Sequence, residues 1–156
     1  MATVWVVDDE VTVCEVLGAM LQQLGYETRV FQDARELLAA YHPGQVDAVL
    51  TDLRMPGLDG LGVVRELRMK DGNAVVLVLT GFPTVAGGVE AIRLGAADYL
   101  TKPFRMEEIR VRLLRALEAR DLQSTLRRSR MLVWMLIGSL PFWFVLGLVL
   151  HMMIRP

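Results

Sequence analysis

This chain of 156 residues is short of several things, and each shortage excludes a class of protein. It has a single cysteine, Cys14. That rules out an intrachain disulfide and any multi-cysteine metal site, and within a helical pattern Cys14 reads as a small core residue. No internal repeat or low-complexity tract is visible, which excludes solenoids and arrays. No Gly/Ser-rich linker divides the chain. The N-terminus, Met1-Ala-Thr-Val-Trp-Val-Val, runs into Asp8-Asp9 without a charged leader or a long apolar core. A secretory signal is therefore not expected, and the N-terminal part is expected in the cytoplasm. Charge is missing altogether from residues 131–150.

What is present is unevenly spread. Hydrophobic residues make up 53% of the chain, high for a purely soluble domain, and the last quarter carries much of the excess. The net charge of −1 conceals an asymmetry. Residues 1–104 hold 8 Lys/Arg against 14 Asp/Glu, about −6, whereas residues 105–156 hold 9 against 4, about +5. An acidic globular part, a basic neck and an apolar end together suggest a membrane-proximal arrangement.

Periodicity orders the first part. Thr3 to Val7 is β-branched and apolar and reads as a buried strand, ended by Asp8-Asp9-Glu10. Val13, Val16, Leu17, Met20, Leu21 and Leu24 form a helical stripe closed by Gly25. Glu27 to Phe31 is a second strand, and Asp33 caps a helix that His42-Pro43-Gly44 stops. A third strand, Val46 to Leu50, leads to Asp52, and a helix follows from about Gly60 to Met69. The apolar run Ala74 to Leu79 suits a central parallel strand covered on both faces. Thr84 caps a helix to Leu94 that Gly87-Gly88 should weaken. Ala97 to Thr101 is a fifth strand, and a long basic helix starts near Arg105. Strands and helices alternating in this way imply an α/β fold, a doubly wound five-stranded parallel sheet.

Such a sheet gathers its strand ends along one edge. Asp8 and Asp9 follow the first strand, Asp52 the third, Thr80 the fourth and Lys102 the fifth. Clustered carboxylates repel unless a cation joins them, and oxygen ligands with open positions suit Mg²⁺. A carboxylate beside that metal can attack a phosphoryl group and become an acyl phosphate. The Lys102 ammonium and Thr80 hydroxyl are suited to the charge that accumulates on the transferred oxygens.

Four motifs carry a resemblance: Val6-Val-Asp-Asp9, Asp52-Leu-Arg-Met-Pro-Gly-Leu-Asp-Gly60, Leu79-Thr-Gly81 and Gly95-Ala-Ala-Asp-Tyr-Leu-Thr-Lys-Pro-Phe104. Residues 1–120 resemble the receiver domain of a two-component response regulator. The resemblance implies the flavodoxin-like strand order 2-1-3-4-5. It implies phosphorylation of Asp52 by a histidine kinase or phosphotransfer protein, the domain catalysing no reaction beyond its own phosphorylation and dephosphorylation. Mg²⁺ would be held by Asp9, Asp52 and the backbone carbonyl of Arg54, with Asp8 acting mainly through water. Lys102 would pair with the phosphoryl group, and its bond to Pro103 is often cis in this family. Thr80 and Tyr99 match the family's switch pair, and Arg54 and Phe82 occupy positions that tune phosphate lifetime.

The chain departs from most relatives after the receiver. Residues 121–130 form a basic neck with Arg127, Arg128 and Arg130, and residues 131–154 read as a transmembrane helix. At ~1.5 Å per residue that helix rises about 36 Å, enough for a ~30 Å hydrocarbon core with tilt. Pro141 should kink it. The arginines before it keep the receiver cytoplasmic under the positive-inside rule, so a single-pass C-terminal anchor is expected. The expectation is then a membrane-tethered switch acting on an output protein at the bilayer, with self-association to a homodimer also open. A phosphate sink or relay without output partner, or an anchored scaffold, are the alternatives. No nucleic-acid partner is expected, because no helix-turn-helix segment remains outside the receiver and the span.

Overall fold

The computed structural model describes residues 1–125 and Met135. The elements run β1 (Thr3–Val7), α1 (Val11–Gln23), β2 (Glu27–Phe31), α2 (Ala34–Ala40), β3 (Ala48–Asp52), α3 (Gly60–Lys70), β4 (Val76–Thr80), α4 (Val85–Leu94) and β5 (Asp98–Thr101). A helix over residues 106–125, here α5, follows. All strand pairs are parallel, in the order β2-β1-β3-β4-β5. This is the doubly wound parallel sheet that the alternation of elements implied, in the flavodoxin-like order that the resemblance implied.

The period-2 geometry of a strand splits its side chains between two cores. Trp5, Val7, Val49, Val76 and Val78 point to the side covered by Leu37 and Leu38 of α2, Val63, Val64 and Leu67 of α3 and Ala91 of α4. Val4, Val6, Leu50, Leu77 and Leu79 point to the other side, against Leu17 and Leu21 of α1 and Ile109 and Leu113 of α5. Because both faces are covered, β3 and β4 are buried at every position. Their apolar runs therefore lack alternation.

Two strands are displaced from the sequence pattern. β3 begins two residues after Val46 and ends on Asp52 itself. β4 is likewise displaced and ends on Thr80. Apolar residues mark where burial begins, and Val46 and Val75 are buried before the ladders start. Ladder pairing continues into the polar residues, with Asp52 opposite Leu79 and the Leu53 N–H donating to the Leu79 carbonyl at 2.8 Å. In α1 the inward face is Cys14, Leu17, Gly18 and Leu21, while Val16 is exposed. Cys14 is buried as expected, and its thiol donates to the carbonyls of Asp8 and Phe31, each at 3.3 Å.

Contacts divide the chain into two compact units, Met1–Glu118 and Ala119–Pro156. Apart from Met135, the expected span, residues 131–154, lies outside the described residues, as do 126–130 of the neck, whereas 121–125 are helical. Among the described residues no helix is long and apolar enough to cross a membrane.

Candidate functional site

The strand ends converge as a parallel sheet requires. β1 delivers Asp8, β3 ends on Asp52, β4 ends on Thr80, and the turn after β5 supplies Lys102. Lys102 Nζ lies 2.6 Å from Asp8 Oδ2 and 2.6 Å from Asp52 Oδ1, so one ammonium bridges two carboxylates. Asp8 is fully buried and Asp52 is 6% exposed. The Lys102–Pro103 peptide is cis.

Each carboxylate is held at its second oxygen as well. The Glu10 N–H donates to Asp8 Oδ1 at 3.0 Å, and the Arg54 N–H donates to Asp52 Oδ2 at 2.7 Å. Burial pulls the Lys102 ammonium toward its neutral form, but hydrogen bonds to Asp52 and Asp8, and their charges, outweigh it. Its pKa therefore lies above the ordinary lysine value. Beside this pair opens a cleft of about 150 Å³, lined also by Asp9, Glu10, Arg54, Thr80, Gly81 and Phe82.

Thr80 is buried, and its hydroxyl accepts the Phe82 N–H at 3.1 Å. Tyr99 stands apart from the cleft, half-buried under α4. A methyl group at Gly88 would lie 3.4 Å from the Tyr99 ring, and one at Gly87 would lie 3.3 Å from its hydroxyl. Gly87 thus leaves room for the Thr84 cap and the Tyr99 hydroxyl, whereas a side chain at Gly88 would make ordinary contact with the ring. The Tyr99 hydroxyl is buried and has no hydrogen-bond partner among the described residues.

The residues named from sequence fall into three groups. Asp8, Asp52 and Lys102 touch. Asp9, Arg54 and Thr80 line the same cleft, and Tyr99 belongs to the adjoining helix packing. Asp9 is exposed at the cleft mouth, and no three His, Cys, Asp or Glu side chains among the described residues form a metal cage. Mg²⁺ does not need one, since it binds through one or two carboxylates and keeps several waters. An oxygen-only donor set opening on solvent fits it.

Two contributors escaped the sequence pattern. Glu10 orients Asp8 through its backbone. Gly60 carries the first turn of α3 against the end of β3, where a Cβ would sit 2.2 Å from the Asp52 carbonyl oxygen. The signal for Gly60 was faint: Asp59 caps the helix, and a glycine at the first helical position is a poor choice unless space demands it.

Fold and site together define a class, a flavodoxin-like α/β domain with an acidic, lysine-bridged cleft at the carboxyl ends of its strands. Residues 4–114 match the response regulator receiver domain family. The regulatory protein AtoC of Escherichia coli K12 is 34% identical over 122 residues, which make up 78% of this chain and 26% of AtoC. Among solved structures, a response regulator receiver domain protein from Clostridium thermocellum aligns with a TM-score of 0.75 at 27% identity, covering 79% of this chain and 99% of that one. The beryllofluoride-activated NtrC4 receiver domain dimer aligns at 0.73 with 31% identity, over 77% and 99%. The chain belongs to the response regulator receiver domain family. It spans about a quarter to a half of the length of the curated relatives it matches.

Proposed function

We propose that this protein is a phosphorylation-switched signalling receiver that accepts a phosphoryl group on Asp52 from a histidine kinase or phosphotransfer protein. One observation carries the reading: the Lys102 ammonium bridges Asp8 and Asp52 at 2.6 Å on the wall of an open cleft. A buried lysine–carboxylate pair that served stability alone would have no need of a solvent-filled approach. Asp52 Oδ1 is the nucleophile. Lys102 meets the negative charge on the transferred oxygens, and Thr80 can turn its hydroxyl from the Phe82 N–H to one of them. Asp9, Asp52 and the Arg54 carbonyl would hold Mg²⁺, with Asp8 acting through water; bound there, the metal neutralises charge on the phosphoryl oxygens. The domain is not an enzyme toward other substrates.

Output through protein contacts suits the outer face of α4, where Val85, Val89 and Ile92 are 87%, 62% and 52% exposed at helical spacing. Tyr99 beneath that helix supplies the link to the cleft. Self-association is supported by likeness to a receiver described as an activated dimer. The basic–apolar run of residues 127–154 supports tethering at a membrane, with an output protein met there in place of nucleic acid.

The test is direct. The full chain, incubated with Mg²⁺ and a small phosphodonor such as acetyl phosphate, should gain one hydroxylamine-labile phosphoryl group. Asp52→Asn should gain none. Equal labelling of the Asp52→Asn variant would overturn the assignment.

A further inference from the structure

We propose that Arg68 is a positioning residue that pins the C-terminal end of α4, so that a phosphoryl group on Asp52 swings the helix about that end. The inference rests on the reading of Asp52 as phosphoacceptor. α4 is held unevenly. Its first four residues, Val85, Ala86, Gly87 and Gly88, bury no side chain, since Val85 and Ala86 are exposed and the glycines have none to bury. Ala91 is the one fully buried residue of the helix, and Leu94, three residues on, packs against the same core. Gly95 then closes the helix at φ +103°. The Ala96 N–H donates back to the Ala91 carbonyl at 2.9 Å, and the Ala97 N–H donates to the Val76 carbonyl of β4 at 2.7 Å. The attached end is thus the one away from the cleft.

Arg68 completes that attachment from α3. A Cβ placed on Gly95 would lie 2.8 Å from Arg68 Nε and 3.4 Å from its Cγ and Cδ, so the arginine lies across the glycine. Its Nη1 donates to the Ala74 carbonyl at 3.2 Å, just before β4 begins. One side chain therefore bridges α3, the end of α4 and the entry to β4. Its charge also sits at the end of α4 where the last carbonyls favour a cation. The other end of α4 joins the cleft through Gly81-Phe-Pro-Thr84, a loop whose Phe82 N–H donates to the Thr80 hydroxyl at 3.1 Å. When that hydroxyl turns to a phosphoryl oxygen, the loop gives up this bond and the N-terminal end of α4 is released. With Gly95 fixed, displacement grows with distance from it, along a lever of about 15 Å. Val85 and Val89 move, while Ile92 stays in place.

Hydrogen exchange of the backbone amides along α4 tests this. In the full chain with Mg²⁺, the phosphoryl mimic beryllofluoride should change exchange over residues 82–89 and leave residues 92–97 unaltered. Arg68→Ala should speed exchange over residues 92–97 about 10-fold before any mimic is added, through loss of a hydrogen bond and of the charge at the helix end. On addition of the mimic, the change in that variant should extend through the whole helix. Arg68→Lys, which keeps the charge, should recover part of the wild-type pattern. A merely structural Arg68 would lower the melting temperature on substitution and leave the effect of the mimic confined to residues 82–89. That result would overturn the inference, and so would a wild-type response spread evenly over α4. Both results leave Asp52 as acceptor if the wild-type chain responds and Asp52→Asn does not. A wild-type chain with no response at any residue would remove both readings together.

Discussion

At the residue scale the cleft is a balance of buried charge. Asp8 and Asp52 lie side by side out of water, and the one Lys102 ammonium offsets their repulsion. Truncating one partner of such a group leaves uncompensated charge, so Lys102→Ala should destabilise the domain by about 3 kcal/mol, read from urea unfolding at pH 7. With the proposed Mg²⁺ site, millimolar Mg²⁺ should restore part of that loss by binding the folded state in preference to the unfolded one. Asp52→Asn is the converse case. It removes one of two repelling charges while Asp8 keeps Lys102, so the melting temperature should hold or rise although phosphorylation is lost. The pH dependence follows from the raised Lys102 pKa. A group whose folded pKa exceeds its unfolded value contributes stability in full below the unfolded value, about 10.4 for lysine. That contribution is lost as pH rises through the folded pKa. Unfolding free energy should therefore decline above about pH 10.4, and the decline should be smaller in Lys102→Ala.

At the element scale the glycines of α3 and α4 do opposite things. A Cβ on Gly60 would strike the backbone of Asp52 and Leu53, at 2.2 and 2.9 Å, and backbone cannot yield as a side-chain tip can. Gly60→Ala should cost about 2–3 kcal/mol by overpacking and displace the acceptor strand end, lowering both melting temperature and phosphorylation rate. A Cβ on Gly88 meets only ordinary contact with the Tyr99 ring at 3.4 Å. Gly88→Ala should therefore gain up to about 1 kcal/mol from helix propensity, seen as a higher melting temperature. The caps Asp33 and Thr84 and the converging polar ends were legible because they rest on local chemistry, each cap accepting a backbone N–H at the start of its helix, whereas the strand order was implied only by the family resemblance. The inward face of α1 was legible at Cys14, Leu17 and Leu21 but not at Val16, which is exposed, or Gly18, which is buried, because periodicity does not show which neighbour a helix packs on. The role of Gly60 was hidden for the same reason, since close approach of two backbones leaves no periodicity.

At the scale of the whole molecule, an acidic receiver shares a short chain with a basic–apolar end. The buried core lies within Met1–Glu118, drawn from five strands and the helices on their two faces. A chain cut after Thr125 should fold with the same melting transition as the full chain. Membrane association should depend on the remainder alone. The full chain should resist carbonate extraction and pellet with membranes, whereas residues 1–125 should stay in the supernatant. Arginine near the middle of a membrane helix costs about 2.5–3.5 kcal/mol. Leu140→Arg combined with Leu146→Arg should therefore shift the full chain toward the supernatant without altering beryllofluoride binding. Complete release of the unmutated chain by carbonate would defeat the tether and leave the receiver chemistry intact. Loss of beryllofluoride binding in the truncated chain would instead show that the apolar end helps to build the cleft, and the separation of switch from anchor would fall.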